Sequence, residues 1–271
     1  MLSWVETQKK SGQKIGFVPT MGALHQGHIS LVQKSKEEND LTIVSVFVNP
    51  TQFNNADDLK KYPRTEDADT QLLEDAGCDA VFFPKIEDIY PNGEKSENYN
   101  FKGIENQMEG KFRPGHFDGV ATVVRRFFEI IQPDKAYFGE KDFQQLRIIQ
   151  ELVQQLNLPL QIVPVPIMRE SDGLAMSSRN TRLTEEMREE SPKIHQILRE
   201  AKIFLQNHSV QETKEFVQNQ FNATKLDLEY FEIADEKTLE SVSEKENSEN
   251  LRGFLAVFAG EIRLIDNIDL G

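Results

Sequence analysis

Two histidines, His25 and His28, stand three residues apart in the run Val18-Pro-Thr-Met-Gly-Ala-Leu-His-Gln-Gly-His28. A short apolar stretch (15–18) precedes them and a helical pattern starting at Ile29 follows. A strand, a tight glycine-containing turn and a helix start make an anion-binding corner. The first N–H groups of a helix lack internal partners, and the helix dipole places partial positive charge there. Gly22 and Gly27 would let a ligand approach the backbone closely. At this spacing both rings fall on one face of the first turn, where two imidazoles can donate hydrogen bonds to a phosphate. The chemistry expected is nucleotide binding of the His-x-Gly-His kind. Two plainer readings stay open: a metal-binding pair, for which further ligands are missing, and a packed turn whose histidines merely face solvent.

Four more segments carry candidate chemistry. In Phe47-Val-Asn-Pro-Thr-Gln-Phe53, the neutral amides of Asn49 and Gln52 suit a hydroxyl or carboxyl substrate, although Asn-Pro also favours ordinary turns. In Phe138-Gly-Glu-Lys-Asp-Phe-Gln-Gln145, Lys141 offers a point charge to phosphate, Asp142 is placed as a helix N-cap, and Gln145 follows on the helical face of Lys141. A surface Lys–Asp pair would look the same. Met176-Ser-Ser-Arg-Asn180 sets two hydroxyls beside a permanently charged guanidinium, which matches polyphosphate oxygens; a plain linker is the alternative. Arg113 and His116 lie on a loop with glycines at 110, 115 and 119, where Arg113 could meet a substrate carboxylate.

These segments need elements to position them. Leu41–Val48 is a near-continuous apolar run, as expected for a strand covered on both faces. Further strands are expected at 80–83, 135–138 and 161–167, with helices capped by Thr65 and Asp118 and another from Asp142 to Asn157 bearing an apolar stripe of Phe143, Leu146, Ile149, Val153 and Leu156. Such alternation predicts an α/β fold, a doubly wound parallel sheet of Rossmann-like type. Ligands then bind at the carboxyl ends of the strands, where these segments fall. Beyond Gly173 the pattern changes to helices at about 184–206 and 210–222 and strands at 228–233, 253–258 and 262–265. This predicts a domain at 1–169 and a smaller α+β lid domain at 170–271.

The 271-residue chain carries a formal charge of −14, which disfavours nonspecific nucleic-acid binding. No apolar run is long enough for a bilayer, and the first residues do not read as a secretion signal. The single cysteine, Cys78, excludes an intramolecular disulfide and fits a cytoplasmic setting, most simply as a buried thiol.

Taken in order, the five segments closely resemble the pantoate–β-alanine ligase family, within the nucleotidyltransferase superfamily that includes class I aminoacyl-tRNA synthetases. The resemblance covers nearly the whole chain. It implies ATP-dependent condensation of pantoate with β-alanine through a pantoyl adenylate, releasing AMP and pyrophosphate. By resemblance, Met21, Gly22, Ala23, Leu24, His25, Gln26, Gly27 and His28 line the ATP site, with His28 acting as a general acid. Gly139, Glu140, Lys141, Asp142, Met168, Met176, Ser177, Ser178 and Arg179 complete the nucleotide pocket, and Gln52 and Gln145 hold pantoate. His25, His28, Lys141 and Arg179 would stabilise charge developing on the phosphates. Mg²⁺ is expected with the triphosphate, with Asp67 and Asp69 as candidate outer contacts, and the resemblance implies a homodimer. Another adenylyltransferase, or an ATP-binding sensor without turnover, are the competing classes.

Overall fold

The structure is a computed structural model and describes residues 1–54 and 56–271. The chain divides into two compact units. The larger comprises Met1–Glu105, Gly110–Glu140 and Gln145–Pro166; the other comprises Asn106–Glu109, Lys141–Gln144 and Ile167–Gly271. No helix among the described residues is long and apolar enough to cross a membrane.

In the larger unit, five strands form a wholly parallel sheet: β1 (Ile15–Thr20), β2 (Leu41–Val46), β3 (Ala80–Phe82), β4 (Lys135–Gly139) and β5 (Gln161–Val165). Their spatial order is β3-β2-β1-β4-β5, so the winding reverses beside β1. This is the doubly wound arrangement, whose crevice opens at the reversal point. β1 and β2 pair along their full length, from Ile15↔Leu41 to Thr20↔Val46. β1 and β4 pair only at Gly16↔Lys135 and Phe17↔Ala136, so their carboxyl-terminal halves are not laced together. The inner strands are apolar because both faces are covered: Val18, Val44 and Tyr137 are buried with Ile29 and Val32 of the helix Gln26–Glu38 and Leu73 of the helix Glu66–Asp75. Pro164 interrupts the donors of β5, which is tolerated because β5 is an edge strand.

The second unit holds an antiparallel sheet of β6 (Asp227–Asp235), β7 (Leu251–Ala259) and β8 (Ile262–Asp269), in that order. Its core joins Ile194, Leu198, Val217 and Phe221 of two helices to Ile233, Leu255 and Val257 of the sheet.

Several boundaries differ from expectation. The helix expected at 184–206 is two, Glu185–Glu190 and Lys193–Leu205, separated at Ser191-Pro192, where proline removes a helical donor. The helix expected to be capped by Asp118 runs His116–Ile131, with Gly115 at φ 76° as its cap residue; Asp118 sits in its first turn and accepts the Tyr99 N–H. The helix expected from Asp142 runs Phe143–Gln155, and Asp142 ends a 3-10 turn ahead of it. On that helix Ile148 and Leu152 are buried, whereas Leu156, beyond its end, is exposed. Cys78 is half-buried and hydrogen-bonded to the carbonyls of Thr42 and Ala80.

Candidate active site

The histidine corner begins where β1 ends. The Thr20 hydroxyl donates to the Ser45 carbonyl at 2.8 Å and accepts the Gly22 N–H at 3.2 Å, which turns the chain out of the sheet. Gly22 adopts φ 83°, and a Cβ there would stand 3.0 Å from both Asp69 Oδ2 and Val46 Cγ1. Ala23 follows at φ 50°, a left-handed conformation costly for a residue with a side chain. Asp69, only 2 % exposed, holds that turn: Ala23 N–H donates to Oδ2 at 3.0 Å and Leu24 N–H to Oδ1 at 2.8 Å. Thr65 Oγ1 also donates to Asp69 Oδ1, at 3.2 Å. Asp69 therefore holds the turn through both carboxylate oxygens.

His25 is the N-cap of the helix Gln26–Glu38. Its Nδ1 accepts the Gly27 N–H at 3.1 Å, and His28 Nδ1 accepts the His25 N–H at 3.2 Å, a reciprocal capping box built from two imidazoles. The ring centroids are 4.1 Å apart. Because each Nδ1 accepts a backbone proton, each neutral ring carries its own proton on Nε2. The expectation of bare N–H groups at this corner is corrected accordingly. The Gly27 N–H is taken by an imidazole.

Gln52 lies on the 3-10 turn Pro50–Gln52 after β2, and its amide donates to the Met21 sulfur. Asn49 is buried and braces this turn, donating to Gln52 Oε1 and to the Gly119 carbonyl, each at 3.1 Å. A Cβ on Gly119 would lie 2.6 Å from the Thr51 carbonyl oxygen and 2.9 Å from the Gln52 nitrogen, so the helix His116–Ile131 meets this turn backbone to backbone. Arg113 and His116 both converge on the Gln52 carbonyl, Arg113 Nη2 at 3.3 Å and His116 Nδ1 at 2.9 Å. These contacts position Gln52, a role that the loop's composition did not signal. A cavity of about 230 Å³ opens beside the corner, with Met21, Gly22, Phe47, Arg64, Phe83 and Lys85 among its lining residues. Arg64 and Lys85 were not expected there. Gln145 is half-buried in the first turn of the helix Phe143–Gln155, and Gly139 and Glu140 stand at the end of β4.

The remaining candidates belong to the second unit. Lys141, in the 3-10 turn Glu140–Asp142, has its ammonium 3.8 Å from the Asp142 carboxylate. Met168 is exposed, and its carbonyl accepts the Met176 N–H at 3.0 Å, closing a small hairpin with the Arg169–Ala175 bridge. Ser177 then caps the 3-10 turn Ser178–Arg182, its hydroxyl accepting the Arg179 N–H at 3.3 Å. Asn180 ties the turn to Glu170 Oε1 at 2.8 Å and to the Ala175 carbonyl at 3.0 Å. Arg188 bridges Glu170 and Asp172 at 2.6 Å each. Burial alone would raise the Asp172 pKa, but the hydrogen bonds from Arg188 and the Leu174 N–H outweigh it and hold the carboxyl below its ordinary range. No group of three or more metal-ligating His, Cys, Asp or Glu side chains occurs among the described residues.

Comparison with known proteins agrees with this arrangement. The pantoate-beta-alanine ligase family model matches residues 1–269. Pantothenate synthetase of Bacteroides thetaiotaomicron is 53% identical over 261 residues, covering 96% of this chain and 92% of that protein. The enzyme of Christiangramia forsetii is 50% identical over 100% of this chain and 96% of its own length. Among solved structures, pantothenate synthetase of Thermus thermophilus superposes with a TM-score of 0.91 at 40% identity, covering 98% of this chain and 97% of that one. The Francisella tularensis pantoate-beta-alanine ligase, complexed with beta-gamma ATP and beta-alanine, gives 0.82 at 39% identity over 99% of this chain and 95% of its own. The parallel sheet, the small antiparallel domain and a family match that runs almost from end to end agree: this chain is a member of the pantoate–β-alanine ligase family.

Proposed function

We propose that this protein condenses pantoate with β-alanine at the expense of ATP, giving pantothenate, AMP and pyrophosphate. The observation that carries this reading is the family match over residues 1–269, together with the imidazole capping box at the end of β1, beside the reversal point of the sheet. A carboxylate is a poor electrophile: its charge repels an amine, and oxide does not leave. Adenylation removes both obstacles. A pantoate carboxylate oxygen attacks the α-phosphorus, the bond to the bridging oxygen breaks, and pyrophosphate departs. The neutral amine of β-alanine then attacks the acyl carbon, the acyl–oxygen bond to AMP breaks, and the amine proton is lost to solvent or to a base.

His25 and His28 act as donors to phosphate oxygens, with His28 able to pass a proton from Nε2. Lys141 and Arg179 add fixed positive charge that strengthens as pyrophosphate separates. One well-placed donor of this kind lowers the barrier by roughly 3–4 kcal/mol. Residues 21–28, Gly139, Glu140, Lys141, Asp142, Met168 and Met176 through Arg179 are assigned to ATP, and Gln52 and Gln145 to pantoate. Mg²⁺ would enter with the triphosphate as part of the MgATP substrate, with Asp67 and Asp69 as the candidate outer contacts. The domain assignment is residues 1–169 for ATP and pantoate and 170–271 for the smaller domain; a cytoplasmic homodimer is the proposed working form.

The test is ATP–pyrophosphate exchange. Exchange that requires pantoate, with AMP and pantothenate formed once β-alanine is added, is the expected result. ATP binding without exchange would remove the ligase reading in favour of a silent nucleotide sensor.

A further inference from the structure

Buried polar side chains in a β-strand are costly unless something requires them. The carboxyl-terminal strand β8 carries two in succession, Asp266 and Asn267, both buried. Consecutive strand residues point to opposite faces, so two adjacent side chains can reach two separate segments. Asn267, 2 % exposed, donates from Nδ2 to the main-chain carbonyl of Lys141 at 3.0 Å. Its Oδ1 accepts from Arg252 Nη1 at 2.7 Å, and the same guanidinium lies 4.0 Å above the Phe143 ring. Arg252 is itself anchored by Glu236, with Nε at 2.7 Å from Oε1. Lys141 is therefore gripped at its carbonyl and, two residues on, at Phe143.

Asp266 serves the other cationic element. Its two oxygens take Arg169 Nη1 at 2.7 Å and Nη2 at 2.9 Å, a bidentate pair with matched planar geometry. Arg169 Nη1 also donates to the Gly173 carbonyl at 3.2 Å, which fixes the hairpin leading into Ser177–Arg179. The Asn267 N–H donates to Asp266 Oδ1 at 2.8 Å, so the two grips are themselves joined.

We propose that Asn267 is a positioning residue for Lys141, and that with Asp266 it sets Lys141 and the Ser177–Arg179 turn in one frame for the departing pyrophosphate. The inference rests on the assignment of Lys141 and Arg179 to phosphate made above. A lysine on a short turn has a mobile stem, and its charge assists catalysis only if the main chain beneath it is held where the triphosphate needs it. The Asn267–Arg252–Phe143 chain supplies that hold from within the unit that carries Lys141.

Asn267→Asp tests the idea with almost no change of shape. The variant keeps an acceptor for Arg252 but faces the Lys141 carbonyl with oxygen in place of an amide donor. We expect kcat for pantoate-dependent ATP–pyrophosphate exchange to fall roughly ten- to hundred-fold, with KM for pantoate unchanged. In a Lys141→Ala background the same substitution should cause no further loss, because its effect passes through the lysine. Equal losses in both backgrounds, or none in the native one, would overturn the proposal while leaving the ligase reading intact. An unimpaired Lys141→Ala enzyme would instead overturn the assignment of Lys141, and this proposal with it. Should N267D not fold, Asn267→Leu, which removes both hydrogen bonds at similar volume, runs the same cycle with the same outcomes.

Discussion

At the end of β1 one buried carboxylate holds a strained turn through main-chain N–H groups, and two neutral rings cap the helix that follows. The Met168–Arg182 segment is braced by side-chain charge instead: Arg169 on Asp266, and Arg188 on Glu170 and Asp172. Both segments are assigned to the same nucleotide, yet they are stabilised by different physics. Hydrogen bonds shielded from water are hard to replace and tolerate little movement. Ion pairs with partners about one-third exposed, such as Arg188 at 33%, are weak singly and screened by salt. The Arg169–Asp266 pair, at 18% and 2% exposure, is shielded and fixes its hairpin, so the softer bracing lies with Arg188 alone.

The sharpest way to break this contrast is to remove the buried carboxylate. Asp69→Ala leaves the Ala23 and Leu24 N–H groups without their acceptor, at about 1–3 kcal/mol for each buried donor. KM for ATP in the exchange assay should rise roughly ten-fold or more, with the Mg²⁺ concentration dependence unchanged at saturating ATP. A shift confined to the Mg²⁺ dependence would make Asp69 a metal contact after all. A smaller effect is expected from Arg188→Ala, which unties Glu170 from Asp172: KM for ATP should rise about two- to five-fold, in line with the worth of exposed pairs. The penalty should shrink at high salt, which already weakens those pairs in the native protein; a salt-independent penalty would mean that Arg188 works through packing.

The smallest effects are in the pH limits, where one group from each unit should fail at opposite ends. Asp172 is held below its ordinary pKa, so its contribution is present above that ordinary value and fades as pH falls through the lowered one. Cys78, in the larger unit, is pushed up to about 11, chiefly by burial. Its contribution is complete below the ordinary thiol pKa and is lost as pH rises through about 11. Thermal melts across pH should show the alkaline loss diminished in Cys78→Ala and the acid loss diminished in Asp172→Asn. Unchanged profiles in both variants would mean that neither group reports on its region.

Much of this was legible in the chain itself. The inner strands announce themselves as apolar runs, and glycines and prolines mark the turns between them. The histidine pair was legible as a candidate for phosphate, but the ring nitrogens that accept from the backbone were not. Which imidazole nitrogen accepts a backbone proton depends on how the turn closes, and no spacing encodes that. The hold of Asp69 on the turn was not legible because its partners lie 45 and 46 positions away, and a carboxylate in the first turn of a helix has an ordinary local explanation. The contact of Arg113 and His116 with the Gln52 carbonyl was not legible, because that target is a main-chain atom that side-chain chemistry does not reveal. The split at Pro192 was visible in principle, since proline inside a helical pattern marks a break.

The contact at Gly119 bears on how this enzyme could be re-engineered. Where the helix meets the Thr51–Gln52 turn, which is proposed above to hold pantoate, the contact is drawn in peptide units, without a side chain from the helix between them. A saturation library at position 119 should return mostly inactive clones, because even alanine would push the turn that carries Gln52. Selectivity for other hydroxy acids is better sought at Gln145, the other residue proposed for pantoate, whose half-buried side chain lies in the first turn of its helix.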